Sequence, residues 1–332
     1  MKVLPRNKGH PLLNFFRPKP PPISWMGGKR SILPIILARF PLFFTRYIEV
    51  FGGSGVVLFG KEPSPFEIWN DMNGDLYNFY YCVKYKHLQL LRELKFLPAV
   101  FREDFKLTRA FLNGEPLPNV SASTEIELAR EFYSEEEARE LAEIFSIRNG
   151  VGDVARAAAF WKLNHLSYGS GMTSFNAQPL DLRRFYNQIL AAHDRLAKVL
   201  LENKDFGELL KQQDKPGTLF YLDPPYYDAE GCYEVVFPRE DHMRLYHVLT
   251  DKEFKSKWLL SYNDCEFIRE LYKDYPQYRF ERPNSLVHRY INNENDDEKH
   301  GEKPNAKYGE IIIANFDMDE RGRQHEQLTF GF

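Results

Sequence analysis

The run Phe220-Tyr221-Leu222-Asp223-Pro224-Pro225-Tyr226-Tyr227 constrains this chain more than any other stretch. It opens apolar and β-prone, as a short buried strand does. It then stops at two prolines, which continue neither a ladder nor a helix. An acid, a rigid turn and two phenols therefore sit at the C-terminal end of a strand, where ligands bind in open α/β sheets. With the backbone fixed, the Asp223 carboxylate and the Pro224 carbonyl can point at one target, and Tyr226 or Tyr227 can lay a ring face beside it. An exocyclic amino group on a flat heterocycle suits all three. The plain alternative is an Asp-Pro-Pro turn with surface tyrosines.

Two glycine-rich stretches precede it. Trp25-Met26-Gly27-Gly28-Lys29-Arg30 allows a tight turn before a helix over 31–40, with Pro34 in its first turn. There Trp25 could stack on a ring and Lys29 could meet a carboxylate. A strand over 47–51 runs into Gly52-Gly53-Ser54-Gly55 and then an apolar helix from Val56, the strand–turn–helix arrangement that cradles nucleotides. The glycine spacing is not that of the dinucleotide fingerprint or of the longer phosphate loop. It suits a ligand with an adenosine but no pyrophosphate. The next strand, 66–69, ends at Asn70-Asp71-Met72-Asn73. An acid there can hold ribose hydroxyls, or cap the helix that follows.

The rest of the chain divides around these landmarks. At 332 residues it has room for one large α/β domain with an insertion, or for two domains. Residues 1–22 read as a basic, proline-broken arm, and 1–46 hold nine Lys or Arg and no acid. Helices are expected over 74–97, 101–112, 125–145 and 153–166, and the third of these is acidic. A Ser/Gly-rich hairpin follows near 169–178, flanked by Arg183, Arg184 and Arg195. This block interrupts a strand–helix alternation that resumes with strands near 197–201 and 219–222. A helix over 207–212, capped by Asp205, lies between those strands. A helix over 239–249 and a strand over 258–262 follow, then a short helix over 267–272 and late strands near 278–280, 286–290 and 310–316. Residues 292–307 read as a polar loop. Three separated cysteines give neither a disulfide framework nor a metal pattern. No membrane span or secretory signal is visible, and a cytoplasmic setting is expected.

The motifs together resemble the Dam-like (D12 class) site-specific DNA adenine-N6 methyltransferases. They fall in that family's order: Trp-x-Gly-Gly-Lys at 25–29, Phe-x-Gly-x-Gly at 51–55, Asn-Asp-x-Asn at 70–73, Leu-Asn and Ser-Tyr-Gly within 163–169, and Asp-Pro-Pro-Tyr at 223–226. Ser-Tyr-Asn-Asp at 261–264 and Glu-x-x-Ile-x-Asn at 310–315 complete the set. The resemblance implies a Rossmann-like class I methyltransferase that uses S-adenosylmethionine and carries a mostly helical target-recognition insertion. The expected division is 1–84 and 196–332 for the methyltransferase and 85–195 for the insertion.

By the same resemblance, Asp223, Pro224 and Tyr226 are catalytic. Trp25, Lys29, Phe51, Gly52, Gly53, Gly55, Asp71, Asp205 and Asp223 bind the cofactor. Asn164, Tyr168, Met172, Thr173, Ser174, Arg183 and Arg184 meet duplex DNA. Asp223 and Pro224 would accept the two amino hydrogens, exposing the nitrogen lone pair for in-line transfer without a metal. Tyr226 would stack on the flipped base. The 85–195 block is expected to read the DNA and to add little to the cofactor pocket. Relatives that read GATC carry an arginine in a longer hairpin; here the hairpin is Gly169-Ser170-Gly171-Met172-Thr173, so GATC specificity does not carry over. A monomer or weak dimer is expected, with a cognate restriction enzyme as an open partner. N4-cytosine methylation, RNA adenine methylation and a non-catalytic DNA-binding relative are the alternatives.

Overall fold

The computed structural model describes residues 18–25, 27–96, 102–114, 134–136, 139, 152–167, 172, 174–175, 186–227, 237–283 and 307–320. The expected helix over 125–145, the hairpin tip, Arg183, Arg184, the strand near 286–290 and the loop over 292–307 fall wholly or mostly outside them.

The described strands are β1 (Arg46–Glu49), β2 (Phe66–Asn70), β3 (Val199–Glu202), β4 (Thr218–Leu222), β5 (Lys257–Asn263), β6 (Gln277–Pro283) and β7 (Lys307–Ala314). They form one sheet in the order β3-β2-β1-β4-β5-β7-β6. The first five are parallel, and β7 pairs antiparallel with both β5 and β6. The strand order reverses between β1 and β4, so a crevice opens at their C-terminal ends. Every residue of β4 is buried, because helices cover both faces of the parallel part. Alternation then sends Tyr47, Trp69 and Tyr221 into one core, and Ile48, Ile68 and Phe220 into the other.

The described helices are α1 (Leu33–Ala38), α2 (Val56–Gly60), α3 (Gly74–Tyr85), α4 (His87–Phe96), α5 (Arg102–Leu112), α6 (Val154–Leu166), α7 (Tyr186–Leu196), α8 (Phe206–Gln213), α9 (Arg239–Leu249) and α10 (Glu266–Leu271). The single helix expected over 74–97 is two, because Lys86 leaves the helical region at φ −134°. Asn73, not Asp71, caps α3, accepting from Leu76 N at 2.9 Å. Asp153 and Asp205 cap α6 and α8.

The described helices of the 85–195 block are rooted in the core. Trp161, Leu163, Ile189 and Ala192 share a hydrophobic cluster with Trp69 and Tyr221. Asn78 on α3 holds both Gly152 N and Asp153 O at the start of α6. Arg156 on α6 pairs with Asp75 on α3 and reaches Leu112 O. Arg195, expected on a basic flank, is instead buried. It forms a two-pronged ion pair with Glu67 of β2 at 2.5 and 2.9 Å, and Lys61 binds the same carboxyl at 2.5 Å. Two cations around one buried acid hold that carboxyl below its ordinary value, against the opposing effect of burial.

Candidate active site

Register builds the site. Glu49 of β1 lies opposite Tyr221 of β4, so Phe51 and Asp223 both stand two residues beyond a paired position on adjacent strands. Asp223 is partly buried, and Pro224 behind it is buried. The Lys29 Nζ lies 2.7 Å from Asp223 Oδ2, and Lys29 is only 2% exposed. The same ammonium donates to Gly27 O at 2.9 Å and sits 4.8 Å from the centre of the Tyr226 ring. The carboxylate that Lys29 meets in this structure is therefore that of Asp223. A buried lysine needs such a partner, since an unpaired ammonium away from water is strongly disfavoured.

Two further strands fix the phenols that follow. The Tyr226 hydroxyl donates to Glu310 Oε2 on β7 at 2.6 Å. Asn263 at the end of β5 donates from Nδ2 to Tyr227 O at 3.0 Å. The Tyr227 ring stacks on Phe267 at 4.3 Å and meets His242 edge-on, and His242 Nδ1 is 2.6 Å from the Tyr262 hydroxyl. Asn263 and Glu310 lie within the Ser-Tyr-Asn-Asp and Glu-x-x-Ile-x-Asn motifs, but the sequence alone gives neither residue a role.

The glycine turn is close-fitting. Gly53 and Gly55 have φ of +49° and +65°, a region side chains disfavour. A Cβ on Gly52 would lie 2.2 Å from Trp69 Nε1, and one on Gly53 would lie 2.9 Å from Trp25 Cδ1. Asp71 ties this turn to the end of β2: Oδ2 accepts Gly53 N at 2.8 Å and Oδ1 accepts Asn73 N at 2.9 Å. Burial pushes its carboxyl up, and the two N–H donors oppose that. Asn70 braces the neighbouring segment by donating to Val50 O and Lys204 O. Trp25 rests against Phe160 of α6, while Asn164 Nδ2 donates to Ser24 O and Trp161 Nε1 to Pro22 O. Thus α6, inside the 85–195 block, supports the turn that carries Trp25 and Lys29.

Phe51, Phe206 and Phe237 form a triangle with each pair of ring centres 5.6 Å apart, an apolar wall beside the glycine turn. Asp205, next to Phe206, is engaged by a two-pronged ion pair to Arg244 at 2.8 Å on each side, as well as by its capping bonds. The Arg244 guanidinium holds that carboxyl below its ordinary value and lies 3.9 Å from the Phe206 ring centre.

The residues expected on the DNA divide. Asn164 is 1% exposed, and its amide serves the Ser24 carbonyl rather than a surface. Met172 is buried in the core cluster at φ +52°, with its N–H donating to Ser167 Oγ at 3.1 Å, so its side chain packs inward instead of facing a groove. Ser174 is exposed, and an antiparallel bridge from Ser167 to Phe175 closes the stretch between them. Tyr168, Thr173, Arg183 and Arg184 lie outside the described residues.

The chain is 24% identical to the type II methyltransferase M1.LlaDCHI of Lactococcus lactis subsp. cremoris over 285 residues, an alignment covering 78% of this chain and 86% of that protein. Residues 25–286 match the family described as D12 class N6 adenine-specific DNA methyltransferase, a span that begins at Trp25 and contains Lys29, the glycine turn, Asp71 and the Asp223–Tyr226 motif. The paired acid and lysine, the tied glycine turn and this match agree: the chain belongs to the D12 class of N6 adenine-specific DNA methyltransferases, which methylate the amino group of adenine in DNA.

Proposed function

We propose that the methyl donor is S-adenosylmethionine and that the target adenine reacts outside the duplex, held between Asp223, Pro224 and Tyr226. The residues around the β1–β4 crevice fit that donor. Asp71 offers a carboxyl at the end of β2 for a ribose diol. Phe51, Phe206 and Phe237 offer an apolar wall for a flat base. Gly53 and Gly55 bring backbone close without side chains between. When bound, S-adenosylmethionine supplies a methyl group activated by a positively charged sulfonium.

The chain's own residues handle the acceptor. The adenine amino lone pair is delocalised into the ring, which makes it a poor nucleophile. Asp223 and the Pro224 carbonyl accept its two hydrogens and favour a tetrahedral nitrogen with the lone pair exposed. That nitrogen gains the methyl and sheds one proton, for which Asp223 is the nearby acceptor. Lys29 keeps the carboxylate oriented from its buried side. Such preorganised charge, present before the reaction, is where most of the rate gain arises. The observation that carries this reading is the Lys29–Asp223 ion pair at the end of β4, beside the glycine turn of β1.

The 85–195 block, on this reading, meets duplex DNA through the loop closed by Ser167 and Phe175, with Thr173 and Ser174 toward bases and Arg183 and Arg184 toward phosphates. A cognate restriction enzyme for the same site, and a monomer or weak dimer in solution, complete the proposal. The test is transfer of labelled methyl groups to genomic DNA, with the modified site mapped by methylation-sensitive sequencing. Asp223→Ala should lower transfer by more than about a hundredfold and leave donor binding measurable by calorimetry. Near-normal turnover in that variant would refute the mechanism.

A further inference from the structure

Glu310 is a carboxyl that the mechanism above leaves without a task. It stands on β7, two strands from β4, and opposite Asn263 in the β5–β7 register. Because β7 runs antiparallel, this position lies at the catalytic end of the sheet. The residue is 1% exposed, and its Oε2 accepts the Tyr226 hydroxyl at 2.6 Å, the short end of the O–H···O range. Burying a carboxyl is unfavourable without a hydrogen-bonding partner, and the phenol of the catalytic motif supplies one.

We propose that Glu310 is a positioning residue for methyl transfer, fixing the plane of the Tyr226 ring on which the displaced adenine stacks. The inference rests on the stacking role given to Tyr226 above. The ring is held at three places. Pro224 and Pro225 restrict the backbone before it. Lys29 lies 4.8 Å from its centre, and Glu310 anchors its hydroxyl. A ring held this way does not lose torsional freedom when the base arrives. The hydrogen bond also joins a residue near the C-terminal end of the sequence to the Lys29–Asp223 pair, through Tyr226.

The test uses full-length protein and a duplex carrying the mapped site, with 2-aminopurine in place of the target adenine for fluorescence and adenine for single-turnover transfer. Glu310→Ala should slow single-turnover transfer by roughly tenfold to a hundredfold. It should also alter the 2-aminopurine signal, while donor affinity and melting temperature hold. Glu310→Gln, which keeps an acceptor oxygen, should recover most of the loss. Tyr226→Phe removes the same hydrogen bond from the other side, so the double variant should be no slower than the worse single variant. Additive losses would overturn the proposal, as would wild-type rate and signal in Glu310→Ala. If Glu310→Ala does not fold, Tyr226→Phe carries the test, and wild-type behaviour there overturns it. Tyr226→Ala separates the two readings. Normal flipping and transfer in that variant would remove the stacking role itself. Impaired transfer there, with Tyr226→Phe and Glu310→Ala both normal, would remove only the role of Glu310.

Discussion

Glu49→Gln should flatten the dependence of this protein's stability on pH. Glu49 ends β1 with its carboxyl buried against α2, whose Leu58 N–H donates to it. Burial pushes that carboxyl up from 4.5 to about 8, and the charge of Asp223 adds to the rise. The Tyr47 hydroxyl at 3.0 Å, the Leu58 N–H at 2.8 Å and the Lys61 ammonium pull the other way without prevailing. The folded carboxyl thus keeps its proton in a range where the unfolded chain has lost it. Between the two values the unfolded state binds fewer protons, so stability falls as pH rises; it is fully present below 4.5 and levels off above about 8. Each pH unit in that window is worth about 1.4 kcal/mol, so the whole window is worth at most about 5 kcal/mol. Glutamine keeps an acceptor for Tyr47 and Leu58 but cannot ionise. Urea unfolding of both proteins from about pH 5 to about pH 9 would measure the difference between them, in which other titrating groups cancel. The variant should gain on the wild type steadily up to about pH 8. A difference that stays constant within about 0.5 kcal/mol across the range would refute the assignment of a neutral Glu49.

Three further outcomes follow from the geometry. Lys29→Met should lower the single-turnover methyl-transfer rate by at least about tenfold while changing donor affinity much less, because Lys29 contacts Asp223 in this structure. A large loss of affinity in calorimetry, with the rate intact, would return Lys29 to direct cofactor binding, as the sequence resemblance implied. Arg195→Leu should destabilise the fold by about 3 kcal/mol, since among the described residues Glu67 then keeps only Lys61 as a cation. DNA affinity at varied salt should show an unchanged slope in that variant, and a flattened slope would place Arg195 at phosphates after all. Gly53→Ala should cost about 1–2 kcal/mol from the left-handed backbone alone and should weaken donor binding further by displacing Trp25, both readable by thermal melting and calorimetry.

The turns and strand ends that form the candidate site were legible in the sequence. Prolines, glycines and β-prone runs act on their own neighbours, so Asp223-Pro224-Pro225, Gly52-Gly53 and the strands on either side could be placed from local rules. The helix over 239–249 and the capping by Asp205 were read for the same reason. Family order among the motifs then supplied the reaction, and the match over residues 25–286 bears it out.

Only the tertiary structure assigned partners to the buried polar groups. Glu310 and Tyr226 are 84 residues apart, and Glu67 and Arg195 are 128 apart. No periodicity encodes which cation will meet which acid across such distances. Arg195 looked like part of a basic flank because charge in a sequence says nothing about burial; folding placed it against β2. Asn164 and Met172, placed on DNA by the family resemblance, are likewise turned inward. Residues 85–195 read as separable because they interrupt the strand–helix alternation. Yet Trp161, Leu163 and Ile189 bury their side chains with the sheet, and Asn164 holds the segment that carries Trp25. Local pattern determined where the chain turns and what chemistry stands at each turn. Packing decided which of those groups face one another, because the free energy of burying a polar atom depends on the partner it finds, wherever that partner lies in the chain.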